Sequence, residues 1–178
     1  MKFDTTLVRC TWSGPLGPMT LAAHDTALTG IWFNGQQHQP ALNAPQLPTD
    51  PPLDSQLHLP SHPLLHQATL QLQQYFAGTR KLFDLPLDFT GGTAFQRDVW
   101  RALLDIAPGT TVSYSTIGQR VGRPTAVRAV GAAVGRNPLG IVVPCHRVVG
   151  ANGSLTGYAG GLDRKIALLQ LESSFFDR

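Results

Sequence analysis

Cys145, His146 and Arg147 stand together in the run Ile141-Val142-Val143-Pro144-Cys145-His146-Arg147-Val148-Val149-Gly150, which sets a thiol beside an imidazole and a guanidinium. A free cysteine ionises near pH ~8.5, and neighbouring positive charge lowers that value. The pattern predicts a nucleophilic cysteine at the end of a stiff apolar strand. Adjacent side chains on a strand point to opposite faces, so contact between Cys145 and His146 requires a turn after the strand or a bridging water. Glu172, near the end of a helix expected to start around Leu162, is the acidic residue placed to order the imidazole. Together they would form a Cys145-His146-Glu172 relay resembling a hydrolase triad. The competing reading makes Cys145 a buried structural thiol, His146 a core histidine and Glu172 a helix-terminal surface charge.

The elements that would carry these groups follow from patterning. Leu7 to Trp12, Met19 to Ala23 and Leu28 to Phe33 are short β-prone runs separated by turn-forming residues, which predicts a small antiparallel meander. Residues 34–63 are rich in proline, glutamine and histidine and predict a long surface loop without chemistry of its own. His62 and His66 have the spacing of a metal pair, but no third ligand accompanies them and solvated polar residues are the expectation. Leu64, Leu65, Ala68, Leu72 and Phe76 share one helical face, stopped by Gly78. Thr90-Gly91-Gly92 reads as a hinge, with domains expected at 1–90 and 91–178.

Charge changes sign across that hinge. Of the formal net charge of +3, the first half carries −2 and the second +5, and nine of the ten basic residues in the second half are arginines. Such a surface suits phosphates. Thr93-Ala94-Phe95-Gln96 has the capping-box pattern, and Phe95, Val99, Leu103 and Ile106 then form a helical stripe ending at Pro108-Gly109. Two further helices are expected, about Ser115 to Val121 and Pro124 to Gly135, joined tightly through Gly122-Arg123 as a helix-turn-helix candidate. On the second helix Thr125, Arg128, Ala129 and Ala132 would form a nearly bare strip with one long side chain. A smooth helix can approach a minor groove closely, and a protruding Arg128 can wedge into the stack and displace a nucleotide. An enzyme acting on a base within a duplex must take it out of the stack. Tyr114 would contact a phosphate or the extruded base, and Asn137-Pro138 leads the chain toward Cys145.

Two cysteines 135 positions apart offer neither a disulfide framework nor zinc-ligand spacing, so a reducing, cytoplasmic setting is expected. The start Met1-Lys2-Phe3-Asp4 lacks an apolar signal core, and no run approaches the ~18 apolar residues of a membrane span.

The stretch Pro144-Cys145-His146-Arg147-Val148-Val149 resembles the active-site signature of the O6-alkylguanine-DNA alkyltransferases. The resemblance extends through Gly92-Thr93-Ala94-Phe95-Gln96, Val99-Trp100, Ser113-Tyr114, Arg128-Ala129-Val130-Gly131, Asn137-Pro138 and Gly157-Tyr158-Ala159-Gly160-Gly161 to Glu172. It implies an α+β fold, with a ribonuclease H-like N-terminal domain (a small antiparallel sheet with a helix) followed by a mostly helical winged helix-turn-helix domain. It further implies direct repair of alkylated double-stranded DNA; for oligomeric state a monomer is the default expectation, with cooperativity on DNA not fixed by the sequence. Cys145 would take the alkyl group from guanine O6 irreversibly, without a cofactor, with His146 as base through water and Glu172 orienting it. Activity on O4-alkylthymine is not fixed by the sequence. Tyr158 would donate a hydrogen bond to the departing base. Tyr114, Ser115, Ala126, Arg128, Ala129 and Gly131 would face DNA, with Arg128 filling the vacated stack. Asn137 would be the hinge, the Cys145 and Val148 carbonyls and the Ala159 amide would read the base, and Gly160 and Lys165 would complete the pocket.

Two departures from relatives carry expectations. Gly140 stands where some relatives have a proline that walls the pocket, so a free O6-benzyl base should react poorly while methylated duplex reacts well; comparable rates, measured side by side, would refute this. Cys10 and His24 alone cannot supply the ~four ligands of a zinc site, so no structural metal is expected. Two rival functions remain open at this point: a DNA-binding module without chemistry, and a cysteine hydrolase that turns over without DNA.

Overall fold

The computed structural model describes residues 7–42, 44–47 and 62–176. Three strands, β1 (Val8–Gly14), β2 (Gly17–Ala23) and β3 (Leu28–Phe33), form an antiparallel meander in that order. The β1–β2 hairpin is tighter than expected: only Pro15 and Leu16 lie in the turn, and Ser13 and Gly14 pair with Pro18 and Gly17. Helix α1 (Pro63–Phe76) buries Leu65, Ala68, Leu72 and Tyr75 against the sheet. Gly78, at φ +75°, follows it as expected. Much of the expected 34–63 loop lies outside the described residues; its described part includes Gln46, which bridges Arg9 at the β1 edge. His62 faces Asp25 at 3.7 Å, and among the described residues no group of three metal-ligating side chains assembles.

Helix α2 (Ala94–Leu104) opens on the capping box, with Thr93 accepting from the Gln96 amide and the Gln96 side chain accepting from the Thr93 amide. Then come β4 (Val112–Ser113), α3 (Tyr114–Arg120), α4 (Val127–Gly135), β5 (Val148–Val149) and α5 (Leu162–Ser174); β4 and β5 pair in parallel. Gly122 makes the α3–α4 joint at φ +68°, a conformation that a side chain would strain. Helix α4 starts later than the expected Pro124. The Ala126 amide closes a turn on the Arg123 carbonyl at 3.0 Å, so Thr125 lies outside the helix and off its exposed strip.

The two halves share one hydrophobic cluster, running from Leu21 and Ile31 through Leu72 and Tyr75 to Trp100, Val130, Leu139 and Leu168. Backbone bonds tie them as well. The Ile31 amide donates to the Pro138 carbonyl and the Gly140 amide donates to the Ile31 carbonyl, at 2.8 and 2.9 Å. A proline at position 140 would lack that second donor, and an added Cβ there would lie 3.1 Å from the Ile31 carbonyl oxygen. The fold is α+β, a small antiparallel sheet and helix followed by a helical half. Among the described residues no helix is long and apolar enough to cross a membrane.

Candidate active site and nucleic-acid interface

The apolar run leading to Cys145 does not form the strand expected to end there. Ile141 sits at φ +71°, an outlying conformation for a β-branched residue. Pro144 has no amide to give a ladder. Cys145–Arg147 instead forms a 3-10 turn, and only Val148 and Val149 are strand. Side chains along such a turn need not alternate between two faces, as they would on a strand.

Cys145 is 7% exposed, so the residue is largely shielded from water. Asn137 Nδ2 donates to Sγ at 3.1 Å and to the Val143 carbonyl at 2.8 Å, while Asn137 Oδ1 accepts from the Leu139 amide at 3.0 Å. The residue expected as a hinge therefore clasps the thiol and the chain leading to it. Burial pushes the thiol up from its ordinary value; the Asn137 donor and the Lys165 charge act against burial without reversing it. The expectation that neighbouring positive charge lowers the thiol's value is corrected here. The guanidinium of Arg147 points elsewhere, and dehydration dominates.

His146 is fully buried, and its Nε2 meets Glu172 Oε1 at 2.9 Å. A carboxylate only accepts, so Nε2 carries the hydrogen and Nδ1 keeps the lone pair. Nδ1 has no hydrogen-bond partner among the described residues. Burial lowers the imidazole below its ordinary value and Glu172 raises it in part, leaving a neutral base near pH ~7. Glu172 receives much more than His146. Arg147 grips it in a fork, Nη2 to Oε1 at 2.7 Å and Nε to Oε2 at 2.9 Å, the Gly109 amide donates to Oε2 at 3.2 Å, and the Tyr75 hydroxyl donates to Oε1 at 2.7 Å. Burial alone would raise the carboxyl, but His146 and Arg147 overcome it and hold Glu172 well below the usual carboxylate range. Arg147 also donates to the Ile106 carbonyl.

Lys165 is buried, with Nζ donating to the carbonyls of Val148 and Thr156 at 2.6 and 2.9 Å. It thus ties the strand after the cysteine to the 156–161 loop. Burial, followed by the nearby Cys145, pushes the Tyr158 phenol well above its ordinary value, which keeps it a proton-bearing donor. Gly160 is buried behind it: an added Cβ would fall 2.8 Å from the Tyr158 ring and 2.9 Å from Phe33, so a side chain would displace the tyrosine. The Ala159 carbonyl accepts from the Gln37 amide, anchoring the same loop to the N-terminal half.

On α4, Val130, Ala133 and Val134 face inward, and the indole of Trp100 donates to the Ala133 carbonyl at 2.9 Å. Arg128, Ala129 and Ala132 face out, with Ala126 and Gly131 half-buried beside them. Among the described residues no carboxylate pairs with Arg128. Tyr114 spans from α3 to the carbonyls of Thr156 and Gly157 at 3.2 and 3.4 Å, and Ser115 is held by the Ser113 hydroxyl at 2.7 Å. A cavity of about 710 Å³, lined by Trp32, Phe89, Trp100 and Pro138, contains none of these groups.

Sequence reasoning brings Cys145, His146, Glu172, Asn137, Tyr158 and Lys165 to one place, and the structure does the same. It misses Tyr75 altogether and reads Arg147 as a partner of the thiol. The available signal was the arginine itself, since a guanidinium inside an apolar run requires a buried carboxylate.

Comparison with known proteins gives the same assignment over the whole chain. The family model for the 6-O-methylguanine DNA methyltransferase DNA binding domain matches residues 94–174, and that for its ribonuclease-like domain matches residues 7–89. The methylated-DNA–protein-cysteine methyltransferase of Mycobacterium tuberculosis H37Rv is 46% identical over 165 residues, covering 92% of this chain and 91% of its own. That of Methanosarcina acetivorans is 43% identical over 163 residues, covering 92% and 96%. The crystal structure of Mycobacterium tuberculosis OGT in complex with DNA superposes with a TM-score of 0.81 at 44% identity, covering 94% of both chains. With both halves matched in sequence and the fold matched in structure, the chain belongs to the methylated-DNA–protein-cysteine methyltransferase family.

Proposed function

We propose that this protein repairs duplex DNA by moving a methyl or larger alkyl group from guanine O6 to Cys145 once and irreversibly. The observation that carries this is the Cys145 thiol clasped by Asn137 beside a His146 base that Glu172 holds in one tautomer. Sγ attacks the alkyl carbon as the C–O6 bond breaks. The thiol proton passes through a water to His146 Nδ1. Tyr158 donates a hydrogen bond to the purine as negative charge develops on it, and the guanine anion takes its proton from water, which protonated His146 resupplies. The thioether formed is not readily hydrolysed, so each molecule acts once and needs no cofactor. Thymine O4 carries the same kind of O-alkyl bond and is a second substrate to measure.

The exposed face of α4 supports minor-groove contact by Ala126, Ala129 and Gly131, with Ser115 at the neighbouring backbone and Arg128 entering the vacated stack. Tyr114 would leave the Thr156 and Gly157 carbonyls to turn the nucleotide. The base would then be read by the Cys145 and Val148 carbonyls and the Ala159 amide, with Lys165 and Gly160 fixing the pocket wall. Residues 1–90 act as a bracing domain and 91–178 as the DNA-binding and acceptor domain. Two free cysteines suit a reducing cytoplasm, and a monomer suffices for single-site chemistry.

The test is intact mass after incubation with O6-methylguanine duplex. One methyl per chain, located on Cys145 and lost in Cys145→Ser, is expected. Tight binding with unchanged mass would instead make this a non-catalytic lesion binder, and repeated turnover on an ester would make it a hydrolase.

A further inference from the structure

Tyr75 belongs to the N-terminal half, 97 residues from Glu172, yet its hydroxyl donates to Oε1 of that carboxylate at 2.7 Å. Both residues are fully buried. The ring itself packs against Phe76, Phe83 and Phe175 at centroid distances of 5.4, 5.2 and 5.7 Å, work that a phenylalanine would do equally well. A buried hydroxyl costs dehydration unless it is paired. Its partner here is the one carboxylate that orients the proposed base.

The choice of oxygen matters. Oε1 accepts from His146 Nε2, from Arg147 Nη2 and from Tyr75, whereas Oε2 accepts from Arg147 Nε and the Gly109 amide. The imidazole and the phenol therefore share a single oxygen. Charge density drawn toward the phenol is unavailable to stabilise a protonated imidazole. We propose that Tyr75 is a positioning residue which, through the shared Glu172 oxygen, sets how readily His146 accepts the thiol proton. This rests on His146 being the base of alkyl transfer. It gives the N-terminal half a part in the chemistry as well as in packing.

The charged and titratable groups around the imidazole come from every neighbouring element: Cys145 and Arg147 from the 3-10 turn, Lys165 and Glu172 from α5, and Tyr75 from α1. Arg147 and Lys165 oppose protonation of His146, and Glu172 favours it. Removing the phenol leaves those cations in place and concentrates the carboxylate charge on the imidazole. Protonated His146 becomes more favourable, and the base is lost over a wider acidic range.

The experiment measures the rate of Cys145 methylation by methylated duplex, read by quenched intact mass from about pH 5 to about pH 9, for wild type, Tyr75→Phe and Phe83→Leu. In Tyr75→Phe the acidic midpoint should rise by roughly half a pH unit, and the rate below it should fall by about threefold, with the alkaline plateau within about twofold of wild type. Phe83→Leu loosens the same aromatic cluster without touching Glu172, and should lower thermal stability while leaving the midpoint in place. A Tyr75→Phe profile that superposes on wild type, or one slowed uniformly across pH with its midpoint in place, would overturn the proposal and leave Tyr75 a packing residue. Failure of wild type itself to take up methyl would instead sink the alkyl-transfer reading beneath it.

Discussion

Replacing His146 by glutamine is expected to slow methyl transfer to Cys145 by about 10²–10⁴-fold near neutral pH, the range that a lost general base removes. The size follows from the thiol's surroundings. Burial raises the Cys145 thiol above its ordinary value, and the Asn137 donor and Lys165 charge recover only part of that. The resting nucleophile is therefore a thiol, and the proton must leave as the sulfur attacks. His146 suits the task because burial lowers its own value, so its Nδ1 lone pair is free at neutral pH. The wild-type rate should accordingly decline only as pH falls below the ordinary 6.5 of histidine. The glutamine variant has no such step. Its rate should climb steadily with pH as hydroxide ionises the sulfur, narrowing the gap to wild type in alkali. Quenched intact-mass kinetics across pH measure both limbs. A variant with a wild-type rate at neutral pH would mean that the thiol ionises unaided.

The same site shows what a sequence displays and what it conceals. Thr93 and Gln96 announce α2 because a capping box is a local device, complete within four residues. Cys145, His146 and Glu172 are legible because a thiol, an imidazole and a carboxylate are rare in an otherwise apolar neighbourhood. Spacing also signals the exposed strip of α4, although Pro124 suggests a start that the turn at Ala126 postpones. The apolar strand expected to end at Cys145 fails for a reason present in the sequence: Pro144 interrupts it, and a proline demotes any run of β-branched residues. Tyr75 is a different case. It lies on an amphipathic helix whose pattern says only that this face is buried, and which carboxylate its hydroxyl meets depends on how α1 docks against α5. No local signal encodes that contact. Arg147 falls between the two: its burial is implied by the residues around it, but its partner is 25 residues away.

Arg147→Met is expected to cost about 3–5 kcal/mol of folding stability at neutral pH, measured by urea unfolding, because it strands a buried carboxylate. The wild-type guanidinium supplies two of the five hydrogen bonds to Glu172 and also serves the Ile106 carbonyl, so methionine fills the space but satisfies none of these groups. Acid should narrow the difference. With its folded value depressed, Glu172 adds stability to wild type that is present above the unfolded value near pH ~4.3 and lost as pH falls toward the folded one. The variant carboxylate, held by fewer donors, takes up its proton at higher pH and has less to lose over that window. His146 should also protonate more readily in Arg147→Met, since a cation that opposes it is gone. Transfer near neutral pH would then weaken along with stability. A paired change separates attraction from desolvation. Arg147→Met with Glu172→Gln removes both charges while keeping an acceptor for the Tyr75 hydroxyl, and should recover part of the loss seen in the single variant, as buried pairs do when neither member is left alone. If the double variant is instead the less stable by the full sum of the two single changes, the guanidinium and the carboxylate act independently, and the fork between them contributes nothing to holding Glu172 against His146.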